Sequence, residues 1–349
     1  MSRNARFHFV LLALLGWLLP AGAEDFFAPR TTNSAVRVTI AQGANLFDAF
    51  LPFDDRVEAI FNRGLTNFTQ TTSTVDAWHS LLTNNNETVG IKVFSTPGRL
   101  TGTRPAVVIA IVHGLLAAGL SPTNIIIWDK HAADLRNAGY FDLGQTLGVP
   151  VIGAADAGYD TNNYYLPDSP VIGSLVWGDV EFGNTNKGVG KKSYLSNLIS
   201  HRLTKIISVV PLIDENSAGT CGHFFSLALG SVDNTRRFED SGDRLAVALP
   251  ELYALPSIGD RVVLNVTDAL IGQYQGGPAN YLQYSTLLQQ LWFSRDPVAL
   301  DTLALRELGH ERQRVDAPQL NSNFEIYTNA TLLQLGISNP ARIQIETVR

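Results

Sequence analysis

Asn124-Ile125-Ile126-Ile127-Trp128-Asp129 is an apolar run dominated by β-branched residues, and it ends on an acid. A strand buried on both faces of a parallel sheet reads this way, because neither face meets water and no alternation is needed. Upstream, Arg104-Pro105 opens a helix over Ala106 to Ala118, with Gly119 as its stop. Before that, Thr88-Val89-Gly90-Ile91-Lys92-Val93-Phe94 is a second buried strand carrying one lysine. Downstream, Ala132 to Asn137 forms a short helix that ends at Gly139. Residues 88–139 therefore alternate strand and helix, the pattern of a doubly wound α/β fold with a mostly parallel sheet.

The pattern extends in both directions. Val36 to Ile40 alternates as a first strand, and Asp54 to Thr66 is an amphipathic helix with Val57, Ile60, Phe61 and Leu65 on one face. Val75 to Leu82 is a shorter helix. Val149 to Ile152 starts another strand, and Lys205 to Pro211 is a second core strand after a helix over Ser193 to Leu203. Pro211 to Arg237 reads as a long Gly-rich loop, and Leu245 to Leu255 as a mixed helix. Val262 to Val266 is a strand ending on Thr267-Asp268, followed by the Gly-rich Gly272-to-Pro278 segment. A helix over Pro297 to Gly309, a helix near Asn329 to Leu335 and a strand at Arg342 to Thr347 close the chain. Residues 154–192 are rich in Gly, Asn, Asp and Tyr and read as an insertion covering the sheet edge, between possible lobes 24–153 and 193–349 of one domain.

The N-terminus reads as a secretory signal peptide over residues 1–23. Arg3 and Arg6 precede a short apolar run, Phe7 to Leu19, and Ala21-Gly22-Ala23 is a cleavage signal. Cleavage after Ala23 leaves 326 residues (349 less 23) of an exported protein, periplasmic or extracellular, without a stable membrane span. The net charge of -6 becomes -8 once Arg3 and Arg6 are removed, and no basic tract follows, which argues against nucleic-acid binding. Cys221 is the only cysteine, which excludes an internal disulfide and a Cys-ligated iron–sulfur cluster. It is a candidate nucleophile beside His223 or a small residue in a tight turn, and the turn is the simpler reading. No HExxH, G-x-S-x-G or phosphate-loop spacing is met.

Several pieces carry a resemblance to a known family. Val89-Gly90-Ile91-Lys92-Val93, Thr103-Arg104-Pro105, Ile125 to Asp129, Ala138-Gly139-Tyr140, Thr267-Asp268-Ala269-Leu270, Gly276-Gly277-Pro278 and Asp296 to Asp301 stand in the order found there. In these the chain resembles the domain of unknown function 362 family. The resemblance implies an α/β fold more than an activity. Two departures stand out: Phe94 replaces the family's usual Asn, and Asp214-Glu215-Asn216 replaces a loop that usually carries Lys and His. The ferredoxin-type cysteines of many relatives are absent.

Ligands of open α/β sheets bind beyond the carboxyl ends of the strands. That rule selects Lys92, Asp129, Asp214, Glu215 and Asp268. Asp268 and Asp129 are the candidate acid/base residues or metal ligands, with Lys92 to orient an anionic group. For Asp268 the competing reading is an Asx turn; for Asp129 it is a cap for the following helix. Asp214, Glu215, Asp296 and Asp301 are candidate ligand-binding residues. Asp296 precedes Pro297 and so also reads as a helix cap, and Asp301 faces either the pocket or solvent. Convergent carboxylates would suit a divalent cation. Two functions follow: an enzyme acting on a small anionic substrate, or a non-catalytic binding or assembly protein. The second would use Tyr159, Tyr164, Tyr165, Trp177 and Phe182 as its contact surface.

Overall fold

A computed structural model describes residues 35–166, 171–172, 189–190, 192–239, 241–320 and 322–349. The signal-peptide reading, Trp177 and Phe182 lie outside the described residues. Eight strands form the body of one sheet: β1 (Val36–Gln42), β2 (Val89–Val93), β3 (Ile125–Asp129), β4 (Val151–Gly153), β5 (Lys205–Glu215), β6 (Val262–Gln273), β7 (Ser285–Ser294) and β8 (Ile343–Val348). Their order is β8-β1-β7-β6-β5-β2-β3-β4, and the two-residue strand Gly219–Thr220 adds to the end of β5. Of the eight, only β7 runs against its neighbours, and the Gly219–Thr220 strand also pairs antiparallel, with β5. The other five pairings along the sheet are parallel, as the doubly wound reading expects.

Helices cover both faces. On one lie α1 (Asp54–Thr69), α2 (Thr74–Leu81), α3 (Pro105–Ala117), α4 (Ala132–Asn137) and α5 (Tyr140–Leu147), packed on Val89, Ile91, Val93, Ile125, Ile127, Ile207, Val209, Leu264, Val266 and Leu270. On the other lie α6 (His223–Ser231), α7 (Gly242–Tyr253), α8 (Pro297–Arg314) and α9 (Phe324–Leu332), packed on Ile126, Trp128, Ile206, Leu212 and Ala269. The two-residue period of a strand sorts one apolar sequence between two cores. It also places Lys92, between Ile91 and Val93, on the α6 side of the sheet.

Three elements differ from the sequence reading. Ser193 to Leu203 is not a helix throughout: Ser193–Ser196 pairs antiparallel with Tyr159–Tyr165, and only Leu198–Arg202 makes a wide helical turn. The strand that reads as ending at Thr267-Asp268 continues to Gln273 and turns back as β7 through the Gly276-Gly277 loop. The supposed loop between Pro211 and Arg237 contains α6, in which every residue except Phe225 is buried. A helix apolar on all sides shows no amphipathic stripe, so periodicity does not announce it.

Candidate functional site

The carboxyl ends of β2, β3 and β5 open onto a cleft of about 820 Å³. Its apolar lining includes Phe94, Phe225 and Leu229, and Tyr159 adds a ring from the insertion. Asp129, Lys130, Glu215, Ser226 and Arg236 are among its polar lining residues. The Gly-rich stretch after β6 reaches the same rim through Pro278.

Beneath the cleft lies a buried ion pair. Lys92 Nζ donates to Asp129 Oδ1 at 2.8 Å, to Val93 O at 2.7 Å and to Ser226 Oγ at 2.9 Å. These use all three ammonium protons. A Cβ on Gly230 would meet Lys92 Cε at 2.4 Å, so the absence of a side chain there makes room for the lysine. Asp129 Oδ1 also accepts the Lys130 N–H at 2.8 Å, and Oδ2 accepts the Ser95 N–H at 2.8 Å and the Ser95 hydroxyl at 2.7 Å. Burial pushes the Asp129 carboxyl up, but Lys92 and Ser95 outweigh it and hold it below the usual range. Burial pulls the Lys92 ammonium down, opposed by Asp129. Burial lowers Lys130 as well, opposed by Glu239 and Asp233, and its Nζ bonds Thr235 Oγ1 at 3.1 Å.

Asp268 stands apart from this group. Arg104 donates to it from its backbone N–H and from its guanidinium, both at 2.9 Å, and Leu270 N adds a bond at 3.2 Å. Arg104 is the residue before α3, so Asp268 anchors the start of that helix on the opposite face of the sheet from Lys92. It is buried within a continuous strand and does not line the cleft. The sequence shows the acid but not the distant arginine that takes it.

The other four candidates divide in the same way. Glu215 lines the cleft and accepts the N–H groups of Ser217 and Ala218 at 2.7 and 2.6 Å. Asp214 turns away into a buried pair with Arg312 at 3.0 Å and accepts the Gly277 N–H at 3.1 Å; burial raises its carboxyl. Asp296 caps α8 by accepting Ala299 N at 2.9 Å, and its other oxygen accepts Ile337 N at 2.8 Å. Burial raises it to about 6. Asp301 faces neither the cleft nor solvent. It receives the N–H groups of His223 and Phe224 at 2.8 and 3.2 Å, closing the start of α6 from a neighbouring helix. Burial raises it to about 7. A Cβ on Gly222 would fall 2.3 Å from this carboxylate.

Cys221 is buried, and burial pushes its thiol well above the usual range, which leaves it protonated and unreactive. His223 is likewise buried, held neutral by a value near 3, between the Ser208 and Thr267 hydroxyls at 2.8 and 3.3 Å. Among the described residues, Glu307, His310 and Glu311 on α8 form the group with metal-ligand spacing. None of them lines the cleft, and Glu311 is already bonded to Thr286 and Arg314. Of the aromatics proposed as a contact surface, Tyr159 lines the cleft, Tyr165 is buried against Phe238, and Tyr164 is partly exposed.

Two side chains bonded to the Lys92–Asp129 pair escape the sequence reading. Ser226 and Ser95 reach the site, one from the unpredicted α6 and the other from the turn after β2. Among the described residues no helix is long and apolar enough to cross a membrane. The chain matches no protein-family profile and no curated protein.

Proposed function

We propose that this is an exported protein that holds a small molecule in the cleft above β2, β3 and β5 without chemical turnover. The observation that carries the reading is the state of Asp129. It is the one candidate acid/base carboxylate at the cleft floor, and four donors already occupy it. A general base needs a free lone pair aimed at the proton it removes, with a pKa near the working pH. Asp129 is held ionised and saturated, Lys92 is saturated, and Asp268 is committed to α3. What this arrangement supports is a rigid, polar floor beneath an apolar wall, the usual composition of a small-molecule site. The resemblance to the domain of unknown function 362 family belongs to the same proposal and bears on fold rather than chemistry. The export part rests on Arg3, Arg6 and the apolar run before Ala23.

Filling the cleft tests the reading. Ala155 lines it at a turn, and Ala155→Trp places an indole inside. A fragment panel screened by thermal shift and ligand-observed NMR is expected to yield binders that Ala155→Trp loses. If every binder is indifferent to that substitution, the cleft is not the site. The mass of the exported protein checks the remainder: a chain beginning at Glu24 agrees with it, and an uncleaved chain does not.

A further inference from the structure

Ser226 is a polar side chain at the cleft floor that the arrangement leaves with a proton to give; Thr235, also on the lining, accepts from Lys130 at 3.1 Å, but Ser226 is the one held against the Lys92–Asp129 pair. It is buried in α6, lines the cleft, and its Oγ accepts a hydrogen bond from the Lys92 ammonium at 2.9 Å. Among the described residues no acceptor takes the hydroxyl's own proton. A hydroxyl that accepts from a cation is polarised, and its O–H becomes a stronger donor. The same bond draws density from its lone pairs, so Ser226 is a poor nucleophile and a good donor. Lys92 cannot serve the ligand itself, because its three protons go to Val93, Asp129 and Ser226.

The charges around the cleft select among acceptors. Lys92 cancels Asp129 at 2.8 Å. What remains on the lining is Asp134, Glu215, Asp233 and Glu239 against Lys130 and Arg236. That acidic excess opposes an anion, while at the floor a cation's N–H donors would meet the Ser226 O–H and an Asp129 carboxylate that already holds four donors. Phe94, Phe225 and Leu229 supply an apolar wall beside the hydroxyl. Resting on the reading of the cleft as a ligand site, we infer that Ser226 is its specificity-determining donor and that the ligand is a neutral small molecule. Its recognised feature is a carbonyl oxygen beside an aromatic or apolar group, as in an amide, lactam or ketone.

Benzamide, benzoate and benzylamine share one ring and differ in the group presented to Ser226. Each is titrated by NMR into the purified protein and into its Ser226→Ala, Ser226→Cys and Ala155→Trp variants, with a melting curve confirming that each variant is folded. Benzamide is expected to bind best, to weaken about tenfold in both Ser226 variants, and to be lost in Ala155→Trp. The cysteine variant fills the space of the hydroxyl, with a slightly larger atom, but is only a weak donor. It therefore separates loss of the hydrogen bond from loss of packing. Benzamide binding unchanged in both Ser226 variants overturns the role of Ser226. Benzoate or benzylamine binding more tightly than benzamide, and lost in Ala155→Trp, overturns the ligand class while the cleft reading stands. If no probe responds to Ala155→Trp, the cleft reading fails and this inference fails with it.

Discussion

Two buried ion pairs hold this protein's sheet from opposite faces, and they do different work. Arg104–Asp268 is sealed: the side chains are 2 % and 0 % exposed, and the aspartate binds the backbone at the start of α3. Lys92–Asp129 is equally short, at 2.8 Å against 2.9 Å, but its aspartate is 6 % exposed and forms part of a cleft. The contrast teaches that a buried charge pair is not itself evidence of a site. Taking two charges out of water costs several kcal/mol per ion, and the attraction only roughly repays it. What separates the two pairs is whether a cavity reaches one of them.

The strongest way to break this comparison is to strip one partner from the sealed pair. Asp268→Ala leaves the Arg104 guanidinium buried without a counter-charge and removes the anchor of α3. Chemical denaturation is expected to show a loss of about 3–5 kcal/mol. A loss within error would mean that Arg104 finds water and that the pair is not sealed. The matching change in the other pair, Lys92→Met, leaves Asp129 with three donors and access to cleft water. The expected loss is smaller, about 1–3 kcal/mol. Adding Asp129→Asn should recover part of it, because the uncompensated charge is then gone. A double variant weaker than the single one would sink that account.

Stability against pH probes acids outside both pairs. Asp296 and Asp301 have folded values near 6 and 7, raised by burial above their values in the unfolded chain. Between pH 4 and 7 these two acids bind more protons folded than unfolded and make stability fall as pH rises; His223, held neutral in the fold, acts the other way below about 6.5 and offsets part of that fall. Asp214 and Glu307, also raised by burial, act in the same direction as the two acids. A fall of roughly 2–4 kcal/mol across that window is expected from denaturation at each pH. Asp301→Asn should flatten the slope whatever it does to absolute stability. A slope unchanged in that variant would place the titration elsewhere. The smallest effect belongs to Ser95→Ala, which removes one of four donors to Asp129 at a cost of about 0.5–1.5 kcal/mol. Its carboxyl should then titrate higher, which NMR of the carboxyl carbon would detect.

Most of the sheet was legible because parallel strands buried on both faces leave long apolar runs, as in Ile125 to Trp128. α1 showed its stripe of Val57, Ile60, Phe61 and Leu65, and Pro297 marked the start of α8. β7 was missed: Ser285-Thr286-Leu287-Leu288-Gln289-Gln290 lacks a clean alternation, and Gln289 takes a positive φ of 55° where the register with β6 slips. α6 was missed because it is buried almost all round. Among the candidate residues, Lys92 and Asp129 were both readable as strand-end residues, and the structure brings them together. Nothing in the sequence tells Asp214, which turns into a pair with Arg312, from its neighbour Glu215, which lines the cleft.

By itself, then, the sequence determined the α/β class, the strand ends where a ligand could sit, and the exclusion of an internal disulfide or Cys-ligated cluster. Each is a local or compositional property, carried by apolar runs, glycine and proline breaks, and residue counts. Only the tertiary structure decided which acids are spent. Asp268 was assigned to Arg104 across 164 positions of chain, Asp301 to the start of α6 across 78, and Ser226 to Lys92 across 134. Partners so far apart are chosen by strand order and by the face on which each side chain emerges. Neither exists until the sheet has formed.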